Sequence, residues 1–450
     1  MIIWIHRKDL RVEDLRGFDY LVERKQSSVH LVILDPVILK KNRHLEHSGI
    51  NFLRHVRLLS EEYGRRGRRL YVLYGEPLEI LQAIKEVHAI EEIVYHEDYT
   101  PYALQRDRGI RDWAEAQGIR RTALQDGALA HFQALNDLAG RKEPFKIFSP
   151  FYRRWSEWLE RGGLEAPSTI SISDLHTDEL NAAIVERYPL PFALPEAIAD
   201  SYETLVSRLT GFFDHRLPQY KESRDDYADE ESTSGVSRHL NAGAISVRHI
   251  HALLEGRPGA ETWRRQLAWR EFYMYQAVFD ANFFTYEQRF DFGSLSQQHF
   301  QAWAEARTGV PIVDAAMTQL AQTGIMPNRL RMVTAMFLTK NLLCPFTLGE
   351  TWFRYKLTDY DNALNRGGWL WSSSLGFDGA PYFRIMNPVM QSERFDPTGQ
   401  YIRRWLPQLR DLTDREIHQP RPDAIVDVKE SRERAIEVYK QILASAPKES

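Results

Sequence analysis

The run DYDNALNRGGWLWSSSLGFDGAPYFRIMNP, residues 359–388, decides how this chain is read. It gathers acids, amides, glycines, a W-x-W pair and an arginine-bearing P-Y-F-R segment in one short span. Such a mixture is neither ordinary core nor ordinary surface. Aspartates and asparagines supply hydrogen bonds, glycines let backbone approach a flat ligand, and paired indoles offer faces for stacking. Taken alone, Asp359 and Asp361 are an acid pair of a kind common on surfaces. The surrounding amides and indoles turn the run into a candidate binding segment.

Working outward, the C-terminal half has helical spacing. SYETLVSRLTGFF, ISVRHIHALL, AETWRRQLAWREFYMYQAVF, PIVDAAMTQLAQTG and RLRMVTAMFLTKNLL carry apolar residues at helical intervals, and KESRERAIEVYKQIL adds a charged helix near the end. From residue 201 onward no alternating run is long enough for a strand, so residues 201–450 are expected to form an all-α domain. Residues 1–130 differ. IIWIH, VHLVILD, LYVLYG and EEIVYHED read as strands, and NFLRHVRLLSEEYGRRG as a helix with Phe52, Val56, Leu59 and Tyr63 on one face. That alternation implies an α/β domain with a parallel, Rossmann-like sheet covered on both faces. Ligands of such sheets sit at the carboxyl ends of strands, where Asp9, Asp14, Glu97 and Asp98 are expected. Residues 131–200 lack a steady period and read as an interdomain connector.

At 450 residues the chain exceeds one comfortable core, and 43% hydrophobic content supports a globular protein. The net charge of −4 excludes a global polycation, so nucleic-acid binding would need a local basic patch. A single cysteine, Cys344, excludes an internal disulfide framework and a multi-cysteine zinc site. It is expected to be a buried small hydrophobe. No metal site, signal peptide or membrane span is expected, and the protein is expected to be a cytoplasmic monomer.

The 359–388 run closely resembles the flavin- and lesion-binding segment of DNA photolyases and cryptochromes. The resemblance extends along nearly the whole chain. MIIWIHRKDLRVEDL is similar to the family's opening strand and turn, HEDYTPYALQRD (96–107) to its antenna-domain loop, and FSPFYRRWSEW (148–158) to the segment before its second domain. Tyr220, STSGVS (232–237) and HLNAGAIS (239–246) resemble the flavin-phosphate segment. AWREFY (268–273), TGVPIVDAAMTQL (308–320) and MPNRLRM (326–332) follow in family order. Several motifs in register are far more specific than any one. The resemblance is strongest to bacterial cyclobutane pyrimidine dimer photolyases.

That resemblance implies FAD as cofactor, with a second, light-gathering chromophore, folate or deazaflavin, in the first domain. It implies that Tyr220, Thr233, Ser234, Gly235, Val236 and Ser237 hold the pyrophosphate. On the same family pattern, Arg331 pairs with Asp359, Asp361 faces the flavin ring, and Asn365 faces its reducible ring nitrogen. Plant cryptochromes carry Asp at the position of Asn365 and animal ones Cys, so Asn365 favours a photolyase. By the same resemblance Trp269 and Trp371 wedge a flipped-out dimer, with Gln266, Asn328 and Met332 completing the pocket. Arg329 and Arg384, with Arg403 and Arg404 as weaker candidates, are implied to contact phosphates of UV-damaged DNA. Trp369 matches the tryptophan nearest the flavin in the family's electron relay. The activity implied is that of a blue-light-driven carbon–carbon lyase, deoxyribodipyrimidine photo-lyase, in DNA repair.

Several departures qualify the match. Gln266 stands three before Trp269, where dimer photolyases usually carry Glu, and a neutral amide donates a hydrogen bond but transfers no proton. Gln there resembles the (6-4) branch, yet that branch's histidine is replaced by Pro327, which cannot act as an acid. A (6-4) reaction would need an acid from elsewhere, for which His239 is a candidate, although it reads better as a structural residue near the flavin segment; Ile325 stands where a tryptophan is common. The middle relay position falls on Phe346 and the outer one near Gly293, so the relay is broken, with Trp352, Trp263 or Tyr355 as possible detours. The alternatives kept open are a cryptochrome-like blue-light receptor without repair and a (6-4) photolyase.

Overall fold

The structure, a computed structural model, describes residues 1–140, 143–196, 201–376 and 384–445. Chain contacts divide it into two compact units that interleave in sequence. The first comprises Met1–Lys142, Arg153–His215 and Gly235–Ala260, the second Glu143–Tyr152, Arg216–Ser234 and Glu261–Ser450. Sequence periodicity suggested contiguous ranges instead, because it reports helix or strand and not which neighbour a helix packs against.

The first unit is built on a parallel sheet of β1 (Ile2–His6), β2 (Ser28–Leu34), β3 (Leu70–Tyr74), β4 (Glu92–His96) and β5 (Arg120–Leu124). The order is β3-β2-β1-β4-β5. Ile3 on the central strand pairs with Val29 on one side and Ile93 on the other. Helices α1 (Arg16–Arg24), α2 (His47–Arg65), α3 (Pro77–Val87) and α4 (Pro101–Ala116) connect the strands. Trp4, Phe18, Leu53, Val56 and Tyr63 pack in one buried cluster; Ile3, Ile5, Leu31, Ile80, Ile84 and Ile93 pack in another. Alternate residues of β1 thus enter opposite cores, which is why the first four residues, IIWI, are all apolar. β5 has no such run, because RRTAL is a part-exposed edge strand pairing only with β4.

The acids expected at the strand ends divide in two. Glu97 is exposed and Asp98 part-exposed, the latter 3.4 Å from Lys8. Asp9 and Asp14 are buried among charged partners. The Asp9 carboxylate lies 3.2 Å from His6 Nδ1 and 2.5 Å from His96 Nδ1. Burial opposes its ionisation, but the two histidines outweigh it and hold it well below the usual carboxylate range. Asp14 meets Arg248, whose guanidinium also bonds Asp126 at 2.8 Å, and Arg11 pairs with the other Asp126 oxygen. Arg248 lies on a helix, α6 (Val247–Leu254), and that buried contact helps bind this later segment into the first unit.

The second unit is helical, and no strand occurs among its described residues. Its main helices are α7 (Ala260–Phe279), α8 (Pro311–Thr323), α9 (Asn328–Met336), α10 (Phe346–Lys356), α11 (Asn362–Ser372) and α12 (Val428–Ser445); α5 (Tyr202–His215) belongs to the first unit. Local chemistry sets several ends. Pro311 opens α8 and Gly324, at φ 70°, closes it. α9 packs against α8 and α11, and α10 packs against α11. Cys344 is buried, and burial pushes its thiol up to about 11. No helix among the described residues is long and apolar enough to cross a membrane.

Candidate flavin and lesion site

The 359–388 run begins as the first residues and body of α11; residues 377–383, including the P-Y-F of the P-Y-F-R segment, lie outside the described residues. Asp361 is the N-cap of α11 and accepts hydrogen bonds from the backbone N–H groups of Ala363 and Leu364, at 2.9 and 3.1 Å. Its carboxylate is therefore fixed by the helix it starts. Asp359 accepts from Arg331 of α9 at 2.9 Å, and the same guanidinium donates to the Met326 carbonyl at 2.8 Å. The pair that the family resemblance implied is thus formed.

Two residues of α11 are anchored through one residue of α10. Asn365 Nδ2 donates to the main-chain carbonyl of Glu350 at 3.0 Å, leaving Oδ1 as the amide's acceptor. Arg366, buried, meets the Glu350 carboxylate at 2.8 Å and also pairs with Glu287. Burial raises the Glu350 carboxyl, and Arg366 pulls it back.

Close approach depends on two glycines. A β-carbon at Gly367 would collide with the Tyr273 ring of α7, so Gly367 brings α11 against the helix carrying Gln266 and Trp269. A β-carbon at Gly349 would collide with the Trp369 indole. Trp369 is accordingly buried, whereas Trp371, two residues on, is part-exposed with the Arg384 guanidinium 5.7 Å from its ring centroid.

Trp269 is part-exposed. Phe148 stacks on it at 3.6 Å between centroids and 5° between planes, and Tyr273 lies 5.9 Å away, tilted. One indole face is thus backed by a ring and held flat. Gln266, one turn earlier, donates to the Thr262 carbonyl of its own helix at 3.3 Å. On α9, Asn328 is exposed and its amide lies 3.8 Å from the Met332 sulfur.

The basic candidates are less free than sequence suggested. Arg329 donates to Asp225 at 2.5 Å and covers the Phe395 ring at 4.5 Å. Arg403 bonds the carbonyls of Leu412 and Arg410 at 2.6 and 3.2 Å, and Arg404 pairs with Glu230 at 2.8 Å. A phosphate at any of these would compete with groups already in place.

The hydroxyl-rich segment divides between the units. Thr233 (exposed), Ser234 (part-exposed) and buried Tyr220 belong to the second; Gly235, at φ 62°, Val236 (buried) and Ser237 (exposed, opening a short helix) belong to the first. Burial pushes the Tyr220 phenol up to about 12, so it acts as a neutral hydrogen-bonding group. His239 is sequestered. Its Nε2 accepts from Arg208 and Arg238, each at 3.1 Å, and its Nδ1 donates to His55 at 3.0 Å. Burial first, then His55 and the two arginines, lower it to about 2. It is a neutral acceptor, not an acid.

Sequence reasoning missed Phe148, Gly367, the Glu350–Arg366 pair and Trp303. Trp303 lies edge-on to Trp369 with centroids 6.2 Å apart. Only the glycine doublet after Asn365 signalled a close contact in advance.

These groups fit a flavin. A carbonyl acceptor at Asn365, a charge-compensated acid at Asp359 and a glycine-enabled approach of two helices suit a flat cofactor with polar edges. Comparison with known proteins agrees. Residues 1–169 match the family model described as DNA photolyase, and residues 263–441 match the FAD binding domain of DNA photolyase. A deoxyribodipyrimidine photo-lyase of Halobacterium salinarum is 34% identical, covering 98% of this chain and 99% of that protein. One from Thermus thermophilus is also 34% identical, with the same coverage. Among solved structures, an archaeal photolyase of Sulfolobus tokodaii with two FAD molecules superposes with a TM-score of 0.81 at 29% identity, covering 98% of this chain and 100% of that one. A cryptochrome of Synechocystis gives 0.81 at 27% identity, over 97% and 98%. Two family models spanning most of the sequence, and relatives matched nearly end to end, place this chain in the DNA photolyase family.

Proposed function

We propose that this protein uses light to split cyclobutane pyrimidine dimers in DNA. FAD binding and photorepair are the properties of its family; the dimer as substrate is the finer reading. The carrying observation is the contact of the Tyr273 ring of α7 with Gly367 of α11, the helices that carry Trp269 and Trp371. Reduced FAD, when bound, supplies the photoexcited electron and takes it back after ring opening.

The protein's own residues do the rest. Trp269, held flat by Phe148, presents an indole face to a flipped-out base, and stacking offsets an extrusion cost of a few kcal/mol. Trp371 forms the second wall, with Arg384 beside it able to attract a phosphate. Gln266 can donate to a pyrimidine carbonyl where charge develops, without transferring a proton. Asn365 Oδ1 would be the acceptor for a flavin ring N–H, since Nδ2 is held by the Glu350 carbonyl, and Arg331 balances the Asp359 charge. A second, light-gathering chromophore belongs at the carboxyl ends of β1 and β4, following the rule for such sheets.

The test mixes chemically reduced protein with a dimer-containing oligonucleotide and measures monomers with and without blue light. Light-dependent monomer formation is expected. Its absence, in protein that binds FAD, would favour the receptor reading, which the replacement of Glu by Gln266 also permits.

A further inference from the structure

The position expected to carry the middle tryptophan of the electron relay is Phe346, a ring much harder to oxidise than indole. Trp369 nevertheless has an indole neighbour in another direction: the buried Trp303 ring, edge-on at 6.2 Å between centroids. Phe353 completes the cluster, 5.1 Å from Trp369 and 6.0 Å from Trp303. Beyond Trp303, Phe300 lies 6.0 Å away, and Phe300 in turn meets the part-exposed Trp352 at 6.2 Å, edge-on. The two outer indoles are therefore separated by a single ring.

Resting on the proposed flavin site, we propose that electrons reach the flavin along Trp369, Trp303 and Trp352, with Trp352 as the exit to solvent. Trp369 would supply one electron to light-excited oxidised FAD. Trp303 refills Trp369, Trp352 refills Trp303 across Phe300, and a small-molecule thiol refills Trp352. Two such turns carry two electrons and one proton to FAD, giving FADH⁻. They oxidise two thiols to one disulfide and release two protons, one of which the flavin takes up.

The surroundings of each indole suit its place. Trp303 Nε1 donates to the Thr334 carbonyl at 3.0 Å in a buried setting. An amide carbonyl stabilises a positively charged indole but is too weak a base to remove its proton, so the charge stays mobile. Trp352 has solvent access, and the Lys356 ammonium lies 5.0 Å from its ring centroid. A cation there makes Trp352 harder to oxidise but more acidic once oxidised, so the step is drawn forward by loss of the N–H proton to water. Losing that proton traps the oxidised site at the surface, giving the thiol time to react. Gly349, Trp352 and Phe353 all lie on α10, so one helix both admits Trp369 and carries the exit.

The experiment uses FAD-loaded protein with oxidised flavin and dithiothreitol. Blue-light bleaching of the flavin, transient absorbance of the indole radical, and peptide mass mapping of oxidised tryptophan in thiol-free buffer are measured. Trp303→Phe and Trp352→Phe should each slow bleaching by about tenfold or more and shorten the radical signal, whereas Trp263→Phe and Tyr355→Phe should not. Oxidation should map to Trp352 in the parent protein. Bleaching at the parent rate in Trp352→Phe, or oxidation mapped to Trp263 or Tyr355 instead, would overturn the route. Trp352 is part-exposed, so its variant carries the test even where Trp303→Phe folds poorly. Repair by dithionite-reduced protein is scored separately: it bypasses the relay, and its failure bears on the repair reading alone.

Discussion

Phe148 and Trp269 lie face to face, 3.6 Å between ring centroids and 5° from coplanar. Arg265 adds a cation 5.0 Å from the Phe148 centroid. A ring buttressed on one face loses little further freedom when a base stacks on the other, which is preorganisation in the plain sense. Phe148→Ala removes the buttress. Such aromatic pairs contribute about 0.5–1.5 kcal/mol beyond area burial, so affinity for dimer-containing DNA should fall by a factor of about 2–10. Affinity for undamaged DNA should not change. Fluorescence anisotropy with matched oligonucleotides checks this, and equal losses on both would mean Phe148 only supports the fold.

The orientation of Asn365 leads to a second expectation. Because its Nδ2 is held by the Glu350 carbonyl, its Oδ1 is the group that can accept from a reduced flavin. Asn365→Ala removes a hydrogen bond of about 1 kcal/mol, and Asn365→Asp adds a negative charge in the same place. Both variants should bind FAD, keep their fold by circular dichroism, and reoxidise in air several-fold faster than the parent after chemical reduction. Unchanged reoxidation in both would sink the assignment.

Gly367 and Gly368 are adjacent but not equivalent. A methyl at Gly367 meets Tyr273, whereas one at Gly368 meets nothing within 4 Å. Gly367→Ala should cost about 1–3 kcal/mol through overpacking and weaken FAD retention. Gly368→Ala should be neutral or stabilising by up to about 1 kcal/mol, since alanine favours helix. Thermal melts and flavin absorbance after gel filtration compare the two, and equal behaviour would show that α7 and α11 are not held by this contact.

Asp126 makes the first unit sensitive to acid. Burial opposes its ionisation, but Arg11, His96 and Arg248 outweigh it and depress it far below the usual carboxylate range. A depressed carboxylate contributes stability that is full above its unfolded value of about 3.9 and is lost as pH falls from there through the folded value. Urea midpoints should therefore drop below about pH 4. Asp126→Asn leaves two buried guanidiniums short of a counter-charge and should cost about 3–5 kcal/mol at neutral pH, with a flatter acid limb. A parent and variant with parallel pH curves would exclude Asp126 as the titrating group.

DNA binding should depend on salt without being steep. With Arg329, Arg403 and Arg404 each engaged by a protein partner, few phosphates are available to displace counterions. A slope of log affinity against log salt of roughly −2 to −3 corresponds to about three phosphates. Arg384→Ala should reduce that slope by about one, on damaged and undamaged DNA alike.

Much of the architecture follows from the order of residues alone. The nearly continuous apolar runs of β2 and β3 point to a sheet buried on both faces, and the 3.6-residue periods after residue 201 point to helices. Pro311 at a helix start and Gly324 at a helix end bracket the run PIVDAAMTQLAQTG and are local effects, complete within a few residues, so sequence carries them; the N-cap role of Asp361 was seen only in the structure. The Arg331–Asp359 pair was legible only through family resemblance, and the structure forms it. Tertiary structure decided what depends on partners distant in the chain. It placed Phe148 on Trp269, set Trp303 against Trp369, committed Arg329 to Asp225, and buried Asp14 beside Arg248. Periodicity records which face of a helix is apolar. It does not record which of several equally apolar or charged neighbours that face will meet, because that choice is made by packing the whole chain at once.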